Sequence, residues 1–177
     1  MRKKILSLHL LLASFMAPAF ILVAISGGLY LIGIKGSSIE TEVSVSEQFS
    51  LDLGSNEIEQ DVRDLIEQLN LNINFEYLRI RSSSITTRPT SRKFLRLSVA
   101  DDRLKIKMVS PNLQSSLIEL HKGHGPILFK TYQKLVAVAL IFVMLSGLWI
   151  GISNKMMRRK TLIAAMLGLT TFILLAR

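Results

Sequence analysis

Hydrophobic positions fall into three blocks with a polar middle between the first two. The blocks are residues 5–34, 127–152 and 161–176, and the middle runs from about 35 to 125. No residue from 135 to 152 is charged, and about 20 apolar residues at 1.5 Å of helix rise cross a hydrocarbon core of roughly 30 Å. The pattern predicts three membrane helices. The first opens on Arg2, Lys3 and Lys4 like a secretory signal, but the apolar region of a signal peptide ends within about 7–15 residues. It reads as an uncleaved anchor, kinked at Pro18.

Inside the polar middle the period changes. Ile58, Val62, Leu65, Ile66 and Leu69 mark one face of a helix, and Asn56 with Glu59 suggests a capping box at its start. Ile73, Phe75 and Tyr77 alternate, the phase slips to Leu78 and Ile80, and residues 82–91, with Pro89, read as a loop. After Lys35-Gly36-Ser37-Ser38, residues 39–55 read as an acidic, Ser-rich approach. Leu95, Leu97 and Val99, then Leu104, Ile106 and Met108, alternate around Asp101 and Asp102. A two-residue turn there pairs Val99 with Leu104, Leu97 with Ile106 and Leu95 with Met108, placing the apolar set on one face. Ser110 as cap and Pro111 as first residue open a second helix carrying Leu113, Leu117, Leu120 and His121 on one side. Gly123, Gly125 and Pro126 end it. The expected fold is therefore membrane α+β: residues 1–35 form the basic start and first span, 36–125 a small αβββ(α) domain, 126–153 the second span, 154–160 a basic loop and 161–177 the third span.

Charge orients this plan. The chain is basic, net +9, but the placement argues for a bilayer rather than nucleic acid as partner. Arg2, Lys3 and Lys4 precede the first span, Lys155, Arg158, Arg159 and Lys160 link the second and third, and every Asp and Glu lies in the middle. The positive-inside rule puts both basic ends in the cytoplasm and the domain outside. The predicted register also sets Arg96 opposite Lys107 and Ser98 opposite Lys105. Like charges directly opposed are unfavourable, so Arg96, Lys105 and Lys107 either face an anion (lipid headgroup, acidic partner, another chain) or splay apart in solvent.

Chemistry is sparse. The chain has no cysteine, which removes disulfides and thiolate chemistry, and there is no phosphate loop, no nucleophile elbow and no intramembrane carboxylate. An enzyme is not expected. Gly27, Gly28, Ser146, Gly147 and Gly151 are small residues that let membrane helices approach.

Gly27-Gly28-Leu29-Tyr30 at the end of the first span, the αβββ unit, and Leu120-His121 leading into a span ending Ser146-Gly147-Leu148-Trp149 together resemble the PepSY-associated transmembrane family over residues 9–152. The resemblance implies a periplasmic PepSY unit on a bacterial inner membrane, a fold associated with binding or restraining partners such as peptidases. Larger relatives are linked to iron uptake and to ferric reductases in which helix histidines bind haem. It therefore implies a regulatory binding protein without a cofactor, whose partner is another membrane or periplasmic protein or a second copy; the alternative is a haem b electron-transfer subunit of an iron reductase. His9, His121 and His124 are the candidate haem or metal ligands. His121 and His124, three apart on one turn, cannot ligate a haem from both sides, and with only Glu119 nearby they do not close a metal site. Otherwise His121 completes an apolar stripe and bonds backbone, while His124 sits among headgroups.

Overall fold

The computed structural model describes residues 2–44, 55–100 and 103–177, in two compact units. Unit 1 comprises residues 1–20 and 134–177, and unit 2 residues 21–133. Ten elements follow in order: α1 (Arg2–Leu31), β1 (Ser38–Val43), α2 (Ile58–Gln68), β2 (Tyr77–Arg81), β3 (Ser84–Arg88), β4 (Phe94–Ala100), β5 (Arg103–Pro111), α3 (Leu113–His121), α4 (Ile127–Ser153) and α5 (Arg158–Leu175).

Among the described residues α1 and α4 are the two helices long and apolar enough to cross a membrane. Their side chains are mostly exposed, including Leu11, Phe15, Leu135 and Val138. A soluble core helix of that composition would be buried, so the exposure of these two is compatible with a membrane setting. Pro18 sits inside α1 without ending it. α5 falls short: it has 18 residues, and Arg158, Arg159 and Lys160 are its first turn.

Unit 2 holds an antiparallel sheet in the order β1-β5-β4-β3-β2. The β4–β5 register is the predicted one, with Leu97 opposite Ile106, Leu95 opposite Met108 and Val99 opposite Leu104; the turn residues Asp101 and Asp102 lie outside the described set. α2 covers one face, where Ile58, Val62, Leu65 and Ile66 meet Ile85, Leu95, Leu97 and Ile106 in the core.

Several expectations are corrected. The sheet has five strands rather than three, because residues 38–43 and 84–88, read as approach and loop, are both strands. Residues 73–76 are not strand; Phe75 reaches the core from an irregular stretch that follows the left-handed Asn70. The capping box does not form, because α2 starts one residue too late for Asn56 and its cap, Glu57, makes no side-chain cap bond. β5 runs through Ser110 and Pro111, and Asn112 caps α3 by accepting the Ser115 N–H. Leu113 is exposed, and Ile118 is the buried residue of α3.

Candidate functional site

Strand alternation assigns the opposite sheet face. Since Leu78, Ile85, Leu97 and Ile106 point toward α2, their neighbours Arg79, Arg81, Thr86, Arg88, Arg96, Lys105 and Lys107 point away. Much of this face lines a cleft of about 480 Å³, with Phe94 and Val109 among its walls and Ser115, Glu119 and His124 at its rim. It is a basic surface on which guanidinium forks and hydroxyls converge, a chemistry suited to carboxylate or phosphate groups.

Two carboxylates already sit among these cations. Glu40 of β1 accepts from Arg96 at 3.0 Å and Lys107 at 3.1 Å, and the bond and charge of Lys107, aided by Arg96, hold its carboxyl below the ordinary value. Arg96 and Lys107 thus do face each other and do meet an anion, one supplied by the chain's own first strand. Lys105, also on this face, is exposed and makes no ion pair among the described residues.

The second is Glu119, which joins three segments. It accepts from Thr90, from His124 Nδ1 at 2.7 Å and from Lys122 at 3.2 Å. Buried Arg88 donates to Thr90 at 2.7 Å and stands 3.7 Å from the Glu119 carboxylate. Burial pushes Glu119 up, but the bonds from Thr90, His124 and Lys122 outweigh it and leave the carboxyl below its ordinary value. Burial lowers the Arg88 guanidinium, opposed by the charge of Glu119. Thr90 N–H also donates to the His124 carbonyl at 3.1 Å. Sequence reading missed Arg79, Arg81 and Arg88 because the loop assigned over 82–91 hid the alternation that aligns them.

The histidines separate. His121 Nδ1 lies 3.2 Å from Ser26 Oγ, and His9 Nδ1 lies 2.9 Å from Ser146 Oγ in the other unit. Each serine hydroxyl also lies within bonding distance of a carbonyl three residues back, Val23 for Ser26 and Val143 for Ser146. In both rings Nδ1 is the nitrogen turned to the serine. His121 therefore bonds a side chain of α1 and not neighbouring backbone, and His124 joins the Glu119 cluster.

The glycines beside these serines are where the rings fit. A Cβ at Gly27 would stand 3.3 Å from His121 Cε1, and one at Gly147 3.2 Å from His9 Cε1. Gly151 packs on Thr161, where a Cβ would meet Oγ1 at 2.6 Å, whereas nothing lies within 4 Å of one at Gly28.

His121 and His124, both in unit 2, are turned to different partners and share no site, and His9 belongs to unit 1. The described residues contain no cluster of three or more His, Cys, Asp or Glu able to hold a metal ion. No family model, no curated protein and no solved structure matches this chain.

Proposed function

We propose that this is a PepSY-type protein of the bacterial inner membrane, with cytoplasmic amino terminus and periplasmic αβ domain, that binds or regulates a partner there and catalyses no reaction itself. The basic cleft carries this reading. One face of the sheet is closed by α2, while the other presents Arg79, Arg81 and Arg96 in the open, next to a cluster that ties β3 to α3 and the start of α4. A ligand held on that face is coupled to the segment entering α4 through Arg88, Glu119 and His124.

The test is a photo-crosslinking residue placed at Thr86, in the cleft, and at Gln60, on the exposed side of α2, in the full chain in cells. A discrete adduct from Thr86, absent from Gln60 and lost when Arg81 is changed to Gln, is expected. Equal adducts from both positions, or none from Thr86, would overturn the reading.

A haem-carrying electron-transfer subunit is the second reading, favoured by one observation: His9 and His121 each contact a serine through Nδ1, so Nε2 is the ring nitrogen not engaged in that contact. His121 and His124 are turned to different partners, so this reading draws a further imidazole from a second copy or a partner subunit. A Soret band from protein purified in mild detergent, abolished by His121→Gln and kept by His124→Gln, would promote it over the first.

A further inference from the structure

The two edges of the sheet carry opposite charge, and one of them has its complement. At the first edge β1 sets Glu40 and Glu42 at alternate positions, and the strand lies antiparallel on β5 with Glu42 opposite Lys107. Glu40 then reaches Lys107 and Arg96. The chain thus shows what its cationic sheet face accepts: a carboxylate carried on an extended edge segment.

The other edge has the reverse pattern. β2 ends the sheet and pairs with β3 alone. It sets Arg79 and Arg81 at alternate positions on the cleft face, roughly 6.5–7 Å apart along the strand. Both are exposed, and neither makes an ion pair among the described residues. Between them Ile80 points to the other face and is 48% exposed.

We propose that β2 is the docking edge for an extended acidic segment of a partner protein, which adds to the sheet with carboxylates on Arg79 and Arg81 and an apolar residue beside Ile80. The proposal rests on the binding role given to the cleft and names the chemistry of its ligand. An edge strand offers main-chain groups that supply affinity, while alternate side chains supply selectivity. Opposite charges across neighbouring strands are favourable and like charges are not. The two arginines therefore exclude basic strands, in the way that charged edges prevent indiscriminate pairing, and admit an acidic one.

The experiment uses the full chain in nanodiscs of zwitterionic lipid and a fluorescein-labelled peptide of alternating glutamate and valine, followed by anisotropy. Binding is expected to weaken about fivefold for each of Arg79→Gln and Arg81→Gln, the scale of an exposed ion pair. It should also be lost when alternate peptide nitrogens are methylated, while a lysine-valine peptide does not bind. Equal binding of the methylated peptide would overturn strand addition, and equal binding of the lysine peptide would overturn the charge match. If a fluorophore at Ser84 is shielded by phosphatidylglycerol nanodiscs without any peptide, the occupant is the bilayer and the proposal fails. A Thr86 adduct in cells together with no peptide binding would leave the binding role standing and remove only the acidic strand.

Discussion

At the scale of single residues, the αβ domain depends on groups whose partners are far away in sequence. Gly36 has φ +74°, and a Cβ there would stand 2.5 Å from Ser115 N and 2.7 Å from Asn112 Oδ1, the two atoms that make the α3 cap. Gly36→Ala should lose about 1–2 kcal/mol for the left-handed backbone and about 1 kcal/mol more as the cap is displaced. Gly123, at φ +75° with open space around it, supplies the control: Gly123→Ala should lose the backbone part alone. Urea midpoints of the two variants in detergent check this, and equal loss would mean the contact is unimportant. Glu119 gives a pH dependence. Its folded carboxyl lies below the ordinary value, so its stabilisation is complete above the unfolded pKa, near 4.3, and is lost as pH falls through the folded value. Glu119→Gln should thus cost about 1–3 kcal/mol at pH 7, and the gap from wild type should narrow once pH falls below the unfolded value and close as it passes the lower folded one. A gap independent of pH would mean the charge is not what matters. Neither role was legible in the sequence: Gly36 read as linker and Glu119 as a lone carboxylate, since residues 112–115 and 90 meet them only in the fold.

Among the elements, the legible ones are those with both a period and a buried face. The β4–β5 hairpin and the apolar stripe of α2 could be read because burial fixes register. Leu97 and Ile106 are 1% and 2% exposed. Leu97→Asp or Ile106→Asp should unfold the domain, since an unpaired buried carboxylate costs several kcal/mol, while Lys105→Ala on the exposed face should be tolerated. Protease digestion of the full chain in nanodiscs tests this, and equal resistance of all three variants would contradict the packing. β1 and β3 escaped for different physical reasons. β1 alternates Ile, Thr and Val with Glu but is largely exposed, so ion pairs and an edge ladder hold it where hydrophobic contrast is weak. In β3, Ile85, Thr86 and Thr87 suit a pleated strand, yet the serines before them and Pro89 after them read as loop. There Thr87 is fully buried and its hydroxyl accepts Leu95 N–H at 2.8 Å, replacing a main-chain rung.

At the scale of the whole molecule the open question is what α5 does in the bilayer. The apolar stretch 161–175 is about 22 Å long at helical rise, shorter than a hydrocarbon core of roughly 30 Å. The alternative to spanning is lying in the interface, which requires one polar and one apolar face. α5 lacks that division: apart from its basic first turn, its polar side chains are Thr161, Thr170 and Thr171, and no residue from 161 to 176 is charged. Burying it in the plane would leave apolar side chains on every side of the headgroup layer in water. A short span instead costs fractions of a kcal/mol per ångström of mismatch, relieved as Arg158, Arg159 and Lys160 extend toward the nearer headgroups. Under the proposed topology, with α1 and α4 as spans and the basic groups at 2–4 and 155–160 inside, α5 should run outward. Reporter fusions decide it: after Met108 and after Arg177 a periplasm-dependent enzyme should be active, and after Met156 inactive. Activity after Met108 but not after Arg177 would make α5 a cytoplasmic-side helix and the molecule a two-span protein. Activity after Met156 alone would invert the whole topology and place the basic cleft in the cytoplasm.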